Sequence, residues 1–229
     1  MNDNAASSQR RLEEVARAVS TLTNRLVFTG GATVPLLVDR SAGRTEDAEA
    51  PVTAISYSSR DRLRPELRNL GLASATNRNS TECWRTPNGQ AFEITAHEDD
   101  ESKYSNPWYA YSLDCTTTAQ LMPLLTIRIA GAPACLAAAW WDAVHSDGES
   151  ENLIDVVTLV HGRAVIVDEI AGAPLEVRNF LAGVAGQLIQ RPDADLKILD
   201  ALPRAARLPG AVERVFQRLE RITCLGCDT

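Results

Sequence analysis

Leu26-Val27-Phe28-Thr29-Gly30-Gly31, followed by Ala32-Thr33-Val34-Pro35-Leu36-Leu37-Val38, puts two kinds of local structure side by side. The first run is short, apolar and stopped by two glycines, which is the pattern of a buried strand ending in a tight turn. The second restarts a helical pattern over 32–38, with Pro35 tolerated if it sits in the first turn. A strand, a paired-glycine bend and a helix in succession predict an α/β core. Gly30 and Gly31 carry no side chains, so backbone N–H groups at this turn can approach a phosphate closely. Many strand–helix turns, however, use glycine for geometry alone.

Working outward, residues 8–24 have Leu12, Val15, Val19 and Leu22 at helical spacing after Ser7 and Ser8, either of which can cap a helix. Thr53 to Tyr57 alternates like a strand, and Asp61 to Leu70 reads as a helix closed by Gly71. Cys83-Trp84-Arg85 and Ala91-Phe92-Glu93-Ile94 flank Pro87-Asn88-Gly89, and an Asn-Gly turn between alternating runs signals a hairpin. A further strand is expected over Leu124 to Ile129. From Pro133 the pattern turns helical, with helices expected over 134–145, 151–160, 174–189 and 208–222. The predicted organisation is a mixed sheet region, 1–131, followed by a helical region, 132–229, packed on it.

The chain has 229 residues, 45% hydrophobic, enough for one sizeable core with a smaller helical addition. Its formal net charge of -7 opposes non-specific binding to nucleic acid. Arg60, Arg62, Arg64 and Arg68 could line a local basic groove, against the plainer reading of a solvated helix face. Lysine is confined to Lys103 and Lys197. The N-terminus lacks a signal pattern, and no apolar run approaches the roughly 20 residues of a membrane span. Five cysteines without regular spacing predict a reduced, cytoplasmic location. Cys224 and Cys227 form a CxxC that reads as two thiols on a fraying terminus rather than a metal site.

Three acidic positions carry the chemical argument. Asp47 and Glu49 lie two apart, so an extended chain would aim both carboxylates to one side, where magnesium could take them as oxygen ligands. The alternative is a solvated acidic loop, Glu46-Asp47-Ala48-Glu49. Glu93 sits between Phe92 and Ile94 in the second hairpin strand. It either alternates outward, as strand carboxylates commonly do, or faces the pair as a third ligand. Trp140-Trp141 reads as core packing, with at most one ring able to line a given pocket. His97 in His97-Glu98-Asp99-Asp100 reads as part of a solvated loop, and His161 as packing near a helix end.

Phe28-Thr29-Gly30-Gly31, Arg44-Thr45-Glu46-Asp47-Ala48-Glu49 and Phe92-Glu93, in this order, resemble the minimal nucleotidyltransferases of the DNA polymerase β superfamily. The likeness is to the abortive-infection and toxin–antitoxin toxin branch, a bacterial group. It continues through Trp108-Tyr109, Arg128-Ile129 with Ala132-Pro133, the stretch 150–155 and His161-Gly162-Arg163, covering roughly residues 20 to 190. The resemblance implies an α/β (α+β) nucleotidyltransferase-like mixed sheet and magnesium-dependent transfer of a nucleoside monophosphate from a nucleoside triphosphate. The acceptor would be an RNA end, a protein or a small molecule, and an antitoxin protein a further partner. Asp47, Glu49 and Glu93 would be catalytic and hold Mg2+, with Gly30, Gly31 and Thr45 near the triphosphate and Asp155 organising the pocket.

The sequence departs from that pattern in three places. The family's lysine after the Ala-Pro step is missing from Leu136-Ala137-Ala138-Ala139-Trp140-Trp141, and His145 or Arg163 would have to replace it. Asn152 stands where an acid is common, and Pro51 interrupts an expected central strand. The competing expectation is therefore a repurposed, catalytically degenerate fold that binds a ligand or partner.

Overall fold

Leu26–Thr29 forms β1, and all four residues are buried. The computed structural model describes residues 3–39, 52–76, 82–96, 106–145 and 149–226. They fall into two compact units, one holding the residues up to 36 and those of 52–131, the other 37–39 and those from 132 onward.

In the first unit α1 (Asp3–Ala18) precedes β1, and α2 (Val34–Leu37) follows it. Next come β2 (Val52–Ser56), α3 (Arg60–Asn69), β3 (Ala73–Thr76), β4 (Glu82–Arg85) and β5 (Ala91–Ala96). α4 (Trp108–Asp114), β6 (Thr116–Met122) and β7 (Leu125–Ala130) complete it. The strands make one sheet in the order β3-β4-β5-β2-β1-β7-β6. It is mixed: β2 runs antiparallel to β1 but parallel to β5, and β1 runs parallel to β7. The expected α/β (α+β) class is the observed one.

Periodicity explains the elements that form. Leu12, Val15, Val19 and Leu22 are all buried, but the helix expected over 8–24 ends at Ala18, and Leu22 is buried from a separate 3-10 turn, Ser20–Leu22. β1 and β2 are buried on both sides, as central strands covered on two faces are. Gly71, at φ +78°, ends α3 in a left-handed conformation. Its N–H donates to Arg68 O (2.9 Å) and that of Leu72 to Leu67 O (3.1 Å), so two terminal carbonyls of α3 are satisfied. The predicted hairpin is present: Arg85 pairs Ala91, Trp84 pairs Phe92 and Cys83 pairs Glu93. Gly89, at φ +90°, turns its loop.

The second unit contains α5 (Ala132–His145), α6 (Glu149–Gly162), α7 (Ile166–Ala171), α8 (Leu175–Ile189), α9 (Ala194–Ala201) and α10 (Ala211–Thr223). α5 is buried continuously from Ala132 to Trp140. Ala211, Val215, Leu219 and Ile222 form the buried stripe of α10. The chain stays docked beyond α10 as far as Gly226, where an added Cβ would lie 2.8 Å from Ala182 Cβ on α8. That contact replaces the expected fraying at Cys224; Cys227 lies outside the described residues. No helix among the described residues is long and apolar enough to cross a membrane.

Candidate functional site

The sheet register brings the site together. Thr29 on β1 pairs Thr53 on β2, and Thr53 pairs Glu93 on β5. Residues directly opposite one another project to the same face of a sheet. Thr29, Thr53 and Glu93 therefore form one polar row across three adjacent strands. The neighbouring row, Phe28, Ala54 and Ile94, is buried and apolar. Glu93 is half-buried between buried Phe92 and Ile94, so it does not alternate into open solvent.

Gly30 ends this row with φ +76°, a conformation that a side chain strains. A Cβ there would lie 3.6 Å from Thr53 Oγ1, which puts the turn against the polar row. The hydroxyl of Thr33 donates to Gly30 O at 2.8 Å, alongside the Thr33 N–H at 2.9 Å. Val34 N–H donates to Gly31 O at 3.3 Å. These bonds commit the N–H groups of Thr33 and Val34 to the turn itself. The expected helix over 32–38 shrinks to the single turn of α2, because β-branched Thr33 and Val34 and Pro35 crowd its start. A helix this short contributes little dipole, so phosphate affinity here would have to come from the glycine turn.

Thr29 is 2% exposed, and its hydroxyl has no hydrogen-bond partner. A buried polar group left unsatisfied costs about 1–3 kcal/mol. Thr53 is 9% exposed. Neither threonine stands out when single residues are surveyed for chemistry. The available signal was a polar residue closing an apolar strand, beside the glycine pair.

Thr45, Asp47, Glu49 and Pro51 lie outside the described residues, as do Lys103 and the loop from His97 to Glu101. Asp155 is half-buried on α6 in the second unit. Among the described residues no group of three or more His, Cys, Asp or Glu side chains is placed to hold a metal ion. In kind, the polar row suits magnesium, since a carboxylate and two hydroxyls are hard oxygen donors. Glu93 is the charged member of that set.

The candidates for replacing the missing lysine have other work. Arg163 donates through Nε and Nη2 to the two carboxylate oxygens of Glu169, both at 2.5 Å, and through Nη1 to Leu37 O at 2.6 Å. The Glu169 carboxylate raises the Arg163 pKa further. Its guanidinium is thus built into the second unit, beside Asp39, whose N–H donates to Gly162 O and whose carboxylate accepts from Ala164 N–H, each at 2.8 Å. His145 is exposed and stacks on Trp141, with ring centroids 3.8 Å apart. Trp140 is buried, in keeping with a core role. Of the arginines on α3, Arg64 pairs Glu82 and Asp61, whereas Arg62 and Arg68 are exposed on a solvated face.

No protein-family model matches the sequence, and no curated protein matches it. Solved structures do. The protein JHP933 from Helicobacter pylori aligns at TM-score 0.52 and 11% identity, over 99% of this chain and 93% of its own. An antigenic nucleotidyltransferase-like protein from Paracoccidioides brasiliensis aligns at TM-score 0.50 and 16% identity, over 89% and 97%. Another solved structure from H. pylori, of a protein provisionally named a nucleotidyltransferase, aligns at TM-score 0.54 and 9% identity, over 99% and 96%. At such identities the likeness speaks for architecture alone. The chain has a nucleotidyltransferase-like fold.

Proposed function

We propose that the protein transfers a nucleoside monophosphate from a nucleoside triphosphate to an acceptor, using the face that carries Thr29, Thr53 and Glu93. The observation that supports this reading most is the register. It sets a half-buried carboxylate in line with two buried threonines and against a positive-φ glycine turn. Asp47 and Glu49 precede Thr53 by six and four residues, the even spacing that an extended segment needs to share one face.

In this reading Asp47, Glu49 and Glu93 hold magnesium, which when bound supplies charge neutralisation on the triphosphate. The Gly30-Gly31 turn admits the phosphates without side-chain obstruction, with Thr45 beside them. The acceptor oxygen attacks the α-phosphorus, the α–β bridging P–O bond breaks, and pyrophosphate leaves. Glu93 takes the proton of the acceptor hydroxyl, a general-base role that its half-buried setting suits. Asp155 is assigned to organising the pocket by family resemblance. The net charge of -7 favours a small molecule or protein as acceptor over an RNA end. Membership of the abortive-infection toxin branch, an antitoxin partner and a bacterial cytoplasmic setting belong to the same proposal.

One observation favours the repurposed fold instead. The first turns of α5 are buried without any lysine, and Arg163 is committed to Glu169 and Leu37. Loss of a charge-assisted phosphate contact lowers a rate by orders of magnitude. Pyrophosphate release from each of the four ribonucleoside triphosphates, with and without magnesium, separates the readings. Transfer predicts magnesium-dependent release that falls at least ~100-fold in Asp47→Ala, which removes an assigned ligand of the metal. Equal signals from wild type and variant, or none with any nucleotide, would leave the degenerate fold.

A further inference from the structure

The face that carries the polar row continues past Glu93, on the side away from the glycine turn. Glu93 on β5 pairs Cys83 on β4, while Ala91 pairs Arg85, which in turn pairs Ala73 on β3. Arg85 is two residues along β4 from Cys83, so it shares the face of Glu93 as a diagonal neighbour, Cα to Cα roughly 7–8 Å. The step from Glu93 to Arg85 runs toward the end of the sheet where Gly30 closes β1 and where β2 begins at Val52. Arg85 is exposed, and the alanines beside it in its row, Ala73 and Ala91, are too small to cover its guanidinium. Its Nη1 donates to Gly89 O at 3.1 Å, a tether to the hairpin loop. Among the described residues it has no carboxylate partner. Protection of a sheet edge does not account for this charge, because β3 lies outside β4. Among the described residues on this face of β1 to β5, Arg85 is the one cation.

We infer that the acceptor is a small hydroxyl compound carrying one phosphate or carboxylate group, which Arg85 holds while the hydroxyl lies at Glu93. The inference rests on nucleotidyl transfer at this same face. Strand order supports it. Glu93 on β5 stands between the Gly30 turn of β1 and Arg85 on β4, so triphosphate and acceptor anion reach it from opposite sides. An in-line displacement needs that arrangement, with attacking and leaving oxygens on opposite sides of the phosphorus. The guanidinium offers a fork of N–H donors matched to a carboxylate or a phosphate, and it has no ion pair to give up. One cation suits one anionic group, whereas a polynucleotide needs a row of cations along its backbone. The net charge of -7 repels anions at long range, so recognition of one has to be built locally, as here.

Glycerol 3-phosphate, glycerate and glycerol share a three-carbon frame with hydroxyls and bear a phosphate, a carboxylate or no charge, so they make the test. Each is titrated into the full-length protein without nucleotide or magnesium. The arginine Nε–H resonances are followed by NMR, the Arg85 signal being assigned with Arg85→Gln. Saturable movement of that signal is expected with the two anions and not with glycerol. The signals of Arg62 and Arg68, exposed on α3, serve as controls and should respond at least ~10-fold more weakly. Glu93→Gln removes a like charge beside the bound anion and should tighten its binding about threefold. No saturable movement of the Arg85 signal would overturn the inference. So would an equal response from Arg62 and Arg68, or anion binding indifferent to Glu93→Gln. Failure of nucleotidyl transfer shows elsewhere, as the absence of magnesium-dependent pyrophosphate release from the wild type, and leaves these titrations unchanged.

Discussion

The charged cluster at the end of α6 and the polar row of the sheet are held in different ways. At the end of α6 in the helical unit, Arg218 donates through Nη1 to the carbonyls of Val160 (2.5 Å), His161 (2.7 Å) and Arg163 (3.3 Å), closing the terminus of that helix. Arg163 and Asp39 are tied down in the same place. The guanidinium groups of Arg163 and Arg218 and the carboxylate of Asp39 thus have structural partners, which explain them by stability, while the buried His161 Nδ1 and Thr158 hydroxyl beside them have none. In the sheet unit the Thr29 hydroxyl is buried without a partner, in line with Thr53 and Glu93. Polar groups that the fold does not explain are where function is to be sought, because a fold tolerates such inconsistencies chiefly at sites that use them.

The largest expected effect breaks the comparison from the sheet side. Glu93→Gln keeps size and hydrogen bonding but removes the charge. It should abolish magnesium-dependent nucleotide turnover by ~100-fold or more, with urea unfolding shifted little. Arg218→Ala breaks it from the helical side. Stripping the cap from three carbonyls should cost about 2–3 kcal/mol in urea unfolding, with no effect on nucleotide affinity. Gly131→Ala should cost about 1–3 kcal/mol, since its Cβ would stand 2.7 Å from Cys115 Sγ beside a Cys115 carbonyl that accepts the Gly131 N–H.

Thr29→Val sharpens the contrast. Replacing an orphan hydroxyl by a methyl group should leave stability unchanged or raise it by up to about 1 kcal/mol. A fall in nucleotide affinity alongside would mark the hydroxyl as kept for a ligand. The smallest effect is a pH dependence. Burial, then the charges of Arg214 and Arg218, hold the His161 pKa below its ordinary 6.5. The unfolded chain therefore binds the proton more readily, and stability present above pH 6.5 should decline as pH falls below it. His161→Gln should flatten that slope in urea titrations at pH 5 and pH 7.

Much of the fold could be read from the sequence because its central elements obey simple periodicities. β1, β2, the hairpin and the long helices have the apolar spacing of what they become. The elements that escaped are short or polar. Ala73–Thr76 and Thr116–Met122 are the two edge strands of the sheet, where the absence of a neighbour removes the pressure for apolar residues. Trp108–Asp114, Ile166–Ala171 and Ala194–Ala201 are only seven, six and eight residues long, roughly two turns or fewer, too short for a helical stripe to register. For the candidate site, the glycine turn and Glu93 were readable as motifs. Thr29 and Thr53 were not, since their relation to Glu93 is created by strands far apart in sequence.

The most direct measurement is the anomalous diffraction of manganese, used as a stand-in for magnesium, in crystals grown with a non-hydrolysable nucleoside triphosphate. The account predicts a peak within bonding distance of the Glu93 carboxylate, shared with Asp47 and Glu49 and with the phosphates beside Gly30-Gly31. Manganese bound elsewhere, or nucleotide bound with Glu93 taking no part, would contradict it.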